Sequence, residues 1–295
     1  MKNKSDHFKR ISLPGVRPTN GSPAFTLTEL VVIIGVLALL AATLLPALAN
    51  TKFRDQLAMC TANYRQWGAA WTAASSDTAD GSFPMGVFFN GSGADIWNVS
   101  VLMISNVAPY GVTVPMWYCP VRPADLQRDN QWCIANLGHP VQTLADIYRA
   151  DAGRGATRGV VNPNPATDYG NTYHNVWIQR LTDATRPTSI FPTTHNTVFP
   201  ANPNSSANWQ AGVAAGLPWP IDWLKKPSDP HAAQIPIMSD QVVGPQNKGP
   251  IFANTGHPEG GAVYNENLVY GDGHVESHRA STMVWRWDIT YAAWY

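Results

Sequence analysis

The apolar residues of this chain fall into two regimes that meet near Asn50. Leu30 to Ala49 is a run of twenty residues without a charge (LVVIIGVLALLAATLLPALA). At 1.5 Å per residue a helix of that length covers the roughly 30 Å of a bilayer's hydrocarbon. Beyond it the apolar positions thin to one stripe. Phe53, Leu57, Cys60, Tyr64, Trp67, Trp71 and Ala74 recur at alternating steps of four and three, while Lys52, Arg54, Asp55, Asn63, Arg65 and Gln66 occupy the other faces. That period predicts an amphipathic helix with the stripe committed to a core. Together the two regimes predict a helix from about Thr26 to Ser75, roughly 75 Å long, apolar all round in its first half and one-sided in its second. Pro46 falls inside it, where the missing amide and the ring clash predict a kink.

After Ser75 the pattern breaks into short elements punctuated by Asp80-Gly81, Asn90-Gly91 and many X-Pro pairs, with no helical run of comparable strength. Ile235-Pro236-Ile237-Met238-Ser239-Asp240 reads as a buried strand ending in a carboxylate. Leu268 to Glu276 reads as a strand pair around Asp272-Gly273, the dipeptide that supplies positive φ to a two-residue hairpin turn. On that reading Val275 points inward, His274 and Glu276 point outward, and the strands pack on the long helix. The stretch from about 153 to 230 is poor in aliphatic periodicity and rich in Asn, Pro, Thr and Ala, and it reads as a loop-rich insertion.

Composition sharpens the picture. Asp, Glu, Lys and Arg make up 14% of the 295 residues, against roughly 25% in an average soluble domain. Basic and acidic residues number 20 each, so no basic excess draws the chain to a polyphosphate backbone, and nucleic acid is not an expected partner. The neutral total hides a polarity. Lys2, Lys4, Lys9, Arg10 and Arg17 precede the apolar run against Asp6 alone, which leaves the remainder acidic. The positive-inside rule then places residues 1–24 in the cytoplasm and the chain after Asn50 across the membrane.

A secretory signal peptide would explain the basic start, the apolar run and the small residues Ala47-Leu48-Ala49. The run exceeds the 7 to 15 residues usual for such a segment, and Glu29 sits at its edge. The residues around Ala24 offer a second reading. Ala24-Phe25-Thr26-Leu27-Thr28-Glu29-Leu30 resembles the prepilin peptidase site of type IV pilins and type II secretion pseudopilins: a small residue, Phe, Glu as the fifth mature residue, then an apolar helix. Pro46 stands where that family carries a helix-kinking proline, while Ala24 replaces its usual glycine before the cut. The resemblance implies cleavage between Ala24 and Phe25 and N-methylation of Phe25. It also implies that Glu29 neutralises the N-terminal ammonium of a neighbouring subunit, making Phe25, Glu29 and Pro46 assembly residues. Thr26-x-x-Glu29 is at the same time a capping box, and the two roles are compatible.

Motifs along the rest of the chain extend the resemblance. Cys60-Thr61-Ala62-Asn63-Tyr64, Asp80-Gly81-Ser82-Phe83-Pro84, Tyr118-Cys119-Pro120, Ile237-Met238-Ser239-Asp240, His257 and Asp272-Gly273-His274-Val275-Glu276 are similar to a bacterial group of pseudopilin-like proteins carrying an H-x-DG signature. Fourteen residues separate His257 from Asp272, more than is usual in the group, and Asn265-Glu266-Asn267 is the expected place of the extra ones.

The implied fold is α+β, a long N-terminal helix packed on a mainly antiparallel β-sheet head with long loops. Its segments are a cleaved leader (1–24), a transmembrane half-helix (25–49), an amphipathic half-helix (50–76) and the head (77–295). The implied function is that of a non-enzymatic structural subunit of a type II secretion or type IV pilus-like filament. It would be a single-pass inner-membrane protein with an external head. Its partners would be prepilin peptidase, other pilin-like subunits, the inner-membrane assembly platform and the lipid bilayer.

Two sets of side chains carry further chemistry. Asp240, His257, Asp272 and His274 are the right types for calcium or another divalent metal, although such clusters are more often structural, and no cofactor is otherwise expected. Cys60, Cys119 and Cys133 permit one disulfide and one leftover thiol in an exported domain; Cys60 can meet Cys119, Cys119 can pair with Cys133, or all three can remain thiols. Twelve Trp and ten Tyr support an alternative of another class, a membrane-anchored or secreted carbohydrate-binding protein. The deciding feature is whether Trp209, Trp219, Trp223, Trp285, Trp287 and Trp294 form an exposed patch.

Overall fold

The computed structural model describes residues 25–84, 96–153, 169–178, 181–183, 186–189, 224–245, 250–283, 285–288 and 292–294. The leader with Ala24, most of the 153–230 insertion and the side chains of the six tryptophans named above lie outside the described residues. The chain divides into two units, Met1–Lys52 and Phe53–Tyr295.

Helix α1 (Leu27–Ser76) is the predicted helix, continuous through Pro46. Its start is fixed by the capping box. The Glu29 carboxylate accepts from the Thr26 amide at 2.9 Å and the Thr26 hydroxyl at 2.8 Å, and the Glu29 amide donates back to that hydroxyl at 3.2 Å. In the first unit the apolar side chains face outward all round the helix, from Ile33 at 43% to Leu27 at 80% exposed. An 18-residue window here has a mean hydropathy of 2.7 and none of it is buried. One helix near the N-terminus is therefore long and apolar enough to cross a membrane.

The second unit is the head. It contains β1 (Asn98–Ser100), α2 (Val101–Val107), α3 (Pro123–Leu137), α4 (Leu144–Gly153), β2 (Tyr169–Asn171), β3 (His174–Val176), β4 (Leu181–Asp183) and β5 (Arg186–Ser189). After the insertion come β6 (Pro236–Asp240), β7 (Val243–Gly244), β8 (His257–Glu259), β9 (Ala262–Tyr270), β10 (Val275–Arg279), β11 (Trp285–Asp288) and β12 (Ala292–Trp294). The main sheet is antiparallel in the order β10-β9-β6-β3, with β8 paired to the start of β9. An α+β fold with a long N-terminal helix and antiparallel sheets is thus present. Helices α3 and α4 were not expected. Their inward faces carry Asp129 beside Cys133 and Asp146 beside Ile147, so hydrophobic period alone does not reveal them. Pro123 at the first turn of α3 and Gly138 at its left-handed cap are the local marks that do.

The core forms where the α1 stripe meets the sheet. Cys60, Tyr64, Trp67, Trp71 and Ala74 are 0–4% exposed, and Trp67 packs edge-on to Trp117 with centroids 4.6 Å apart. Strand β6 is buried at every position, as expected of a strand covered on both faces. Gly68 lets the β9–β10 turn approach the helix, because a Cβ there would stand 2.4 Å from the Gly273 carbonyl oxygen.

That turn differs from the expected one. Tyr270 and His274 close it through Tyr270 N–H to His274 O (2.9 Å) and Gly273 N–H to Tyr270 O (2.9 Å). The connection is therefore the three residues Gly271-Asp272-Gly273, with Gly273 at φ +91°, rather than a two-residue loop. A three-residue hairpin needs one left-handed residue at its end, which glycine supplies. Val275 packs against the core while Glu276 is exposed, as the alternation requires. Asn265-Glu266-Asn267 form the middle of β9, paired in register with β10.

Candidate metal centre

Four elements of the head deliver one side chain each to a single buried point. Cys60 comes from the buried stripe of α1. Cys119 follows a 3-10 turn (Val114–Trp117) that ends in extended backbone at Tyr118. Asp240 ends the buried strand β6 and His257 begins β8. All four are 0–1% exposed, and their ligand-type atoms lie within 4.8 Å of one another. The two sulfurs are 3.7 Å apart. His257 Nε2 stands 2.9 Å from Asp240 Oδ2 and 3.2 Å from Cys60 Sγ. Asp240 Oδ1 is 3.9 Å from Cys60 Sγ.

A further ring of contacts fixes these groups. His257 Nδ1 is 2.8 Å from Asn265 Oδ1. An amide oxygen can only accept, so Nδ1 carries the proton and Nε2 faces the cluster. Asp240 Oδ2 accepts the Asn267 amide at 2.9 Å. On the other side His174 Nδ1 lies 3.8 Å from Asp240 Oδ1 and 2.9 Å from the Tyr64 hydroxyl.

Charge in so dry a place is set by the partners. Burial alone would push the Asp240 carboxyl up and the His257 imidazole down, but their attraction reverses both, holding Asp240 well below the carboxylate range and His257 above its usual value. Burial wins at His174, with Arg122 and His257 adding to it against Asp240, and brings it to about 4. Contact with Cys60, then His257, draws the Cys119 thiol down to about 6. The contact with Cys119, burial and the Asp240 carboxylate push Cys60 up.

The expected metal set is only half assembled. Asp240 and His257 are in contact, but Asp272 and His274 lie on the β9–β10 turn, 39% and 38% exposed, and pair with each other at 2.5 Å. The His274 ring stacks on Tyr270 with centroids 4.3 Å apart. Cys60 and Cys119 take the two remaining places. Sequence reasoning had separated thiols from His and Asp, treating the former as a disulfide question. The connecting signal was the buried stripe carrying Cys60 beneath a buried strand ending in Asp240. Two sulfur donors also disfavour calcium, which takes six to eight oxygens. All three cysteines are free, and Cys133 is buried apart from the others, its sulfur 3.8 Å from the Asp146 carbonyl.

Chemically the group can stand as an Asp–His ion pair with two thiols, or hold a metal ion, or close a disulfide. Among the described residues both sulfurs are covered, Cys60 and Cys119 being 1% exposed. No family model, curated protein or solved structure matches the chain.

Proposed function

We propose that the chain is a pilin-like structural subunit, cut between Ala24 and Phe25 and assembled through the first half of α1 into a filament of the type IV pilus or type II secretion kind. The observation that supports this most is the continuity of α1. One helix begins at a Thr26–Glu29 cap, runs through an uncharged segment with none of its apolar surface covered, and continues into the core of the head. A cleaved signal sequence has no reason to be continuous with the principal core helix of the protein it exports. The exposed apolar half requires lipid or neighbouring helices around it.

In this reading Glu29 pairs with the N-terminal ammonium of an adjacent subunit, which offsets the cost of a carboxylate at the bilayer edge. The test separates that role from capping. Glutamine can fill the same place in a capping box, so Glu29→Gln keeps the helix start and removes the charge. The mature wild-type chain should begin at methylated Phe25 by N-terminal sequencing and intact mass. Glu29→Gln should be cleaved and inserted normally and incorporated into assemblies poorly. A mature chain beginning at Asn50, or wild-type incorporation of Glu29→Gln, would remove the reading.

A further inference from the structure

We propose that Cys60, Cys119, Asp240 and His257 form a structural zinc site that fastens the head half of α1 to the sheet. The inference rests on the head alone and stands or falls separately from the assembly reading.

Geometry is the first argument. With zinc–sulfur bonds of about 2.3 Å and zinc–nitrogen or –oxygen bonds of about 2.0–2.1 Å, a tetrahedron has edges of about 3.8 Å between sulfurs, 3.5 Å from sulfur to nitrogen or oxygen, and 3.3 Å from nitrogen to oxygen. The two sulfurs stand 3.7 Å apart. With Asp240 Oδ2 as the carboxylate ligand, three further edges, 3.2 Å from His257 Nε2 to Cys60, 4.0 Å from Oδ2 to Cys60 and 2.9 Å from Oδ2 to His257 Nε2, fall within about half an ångström of those values, and all four ligand atoms lie within 4.8 Å of one another. Four donors from four elements, closed to solvent, are the mark of a structural site, since a catalytic one keeps a position open.

The surrounding ring is the second argument. A histidine that ligates a metal donates its other ring N–H to a fixed acceptor, and His257 Nδ1 has Asn265 Oδ1 at 2.8 Å. Asn267 is fully buried and its Nδ2 has no hydrogen-bond partner.

Charge is the third. Zinc takes its cysteines as thiolates and its histidine neutral, so two thiolates, one carboxylate and an imidazole around a divalent ion leave a net charge of −1. Arg122, three residues beyond Cys119 and 7% exposed, pairs with Asp125 at 3.3 Å and is a buried positive charge on the same segment as Cys119. A soft-donor set of this kind selects zinc over calcium or magnesium.

The experiment uses the full chain purified from membranes in detergent without chelator. Elemental analysis should find about one zinc per chain, in line with one four-ligand site. Exchange into Co(II) should give the intense visible bands of four-coordinate cobalt and a thiolate-to-cobalt charge-transfer band in the near ultraviolet. Cys119→Ser and His257→Gln should lose the zinc, and Cys133→Ser and His274→Ala should keep it. Should the first pair not fold, the stoichiometry and cobalt spectrum of the wild type decide the matter alone. A wild type without zinc and without a cobalt–thiolate band after anaerobic reduction would overturn the site. So would a stoichiometric copper or iron content in place of zinc, or an intact mass two hydrogens lower with Cys60 linked to Cys119.

Discussion

The two halves of α1 have similar backbones and opposite surroundings. From Leu27 to Leu48 the large apolar side chains are all at least 43% exposed, whereas Cys60, Tyr64, Trp67, Trp71 and Ala74 are at most 4% exposed. The first half is apolar on every face, and its large apolar side chains are exposed among the described residues. The second keeps its apolar residues on one stripe, and the head covers that stripe with β6, β9 and Trp117. A helix gains nothing in water from an apolar face left open. The second half has its apolar stripe covered, and on the proposed reading the first is covered by lipid or a neighbouring subunit, so that one element carries two separate stabilities.

The sharpest way to break this comparison is to damage each half separately. Trp67 is fully buried between Trp71 and Trp117, so Trp67→Ala should cost the head about 3 to 5 kcal/mol. Chemical denaturation followed by head fluorescence reads the loss, and resistance to alkaline extraction from membranes should not change. Leu37→Arg is the reciprocal case. A charge at the centre of a spanning helix costs about 2.5 to 3.5 kcal/mol on insertion scales, so the membrane-integrated fraction should fall while the head's unfolding midpoint stays. If Leu37→Arg destabilised the head as Trp67→Ala does, the halves would not be independent.

A subtler contrast uses one residue type in both halves. A Cβ at Gly68 would lie 2.4 Å from the Gly273 carbonyl oxygen and 3.3 Å from Val269, whereas at Gly35 it would meet nothing within 4 Å. Gly68→Ala should therefore separate the β9–β10 turn from the helix and cost about 1 to 3 kcal/mol, the usual range for overpacking. Gly35→Ala should stabilise its half by up to about 1 kcal/mol, through helix propensity alone. Equal effects of the two substitutions on the head's melting temperature would mean that the turn does not dock where Gly68 allows it.

Legibility in the sequence follows the same division. The long helix was readable throughout because its periodicity is strong in both regimes, and the buried strand β6 because five inward residues leave little else to infer. The β9–β10 hairpin was readable as a hairpin, but its length was not. Asp272-Gly273 predicts where positive φ falls, and only the Tyr270–His274 closure shows that Gly271 joins the loop. Helices α3 and α4 were missed because they bury carboxylates: Asp129 accepts from the Tyr118 hydroxyl at 2.9 Å, and Asp146 holds the Gln142 and Thr143 amides at 3.1 and 2.8 Å. No hydrophobic count registers a face whose inward residues are satisfied aspartates. The Cys–Asp–His cluster was half legible for a related reason. Asp240 and His257 announce themselves by type, whereas Cys60 reads as an apolar member of a stripe until the fold brings Cys119 to it.

The smallest expected effect concerns the cap that begins the exposed half. Thr26 and Glu29 exchange hydrogen bonds at 2.8 to 3.2 Å, and among the described residues Phe25 and Leu27 beside them are 70% and 80% exposed. Thr26→Val keeps the shape of the side chain and removes the hydroxyl that donates to Glu29 and accepts from its amide. The loss should be about 0.5 to 2 kcal/mol, the range of a lost N-cap. It should be felt only in the first turn, because the groups left unsatisfied are the first amides of the helix. Amide exchange in detergent micelles should quicken at residues 27–30 by a factor of about 2 to 30, the equivalent of that free energy. Exchange in the head should be unchanged. Glu29→Gln, which can still accept from the Thr26 amide, should leave the first turn nearly as protected as in the wild type. A first turn equally labile in both variants would mean that the glutamate charge, rather than the reciprocal hydrogen bonding, holds the start of α1.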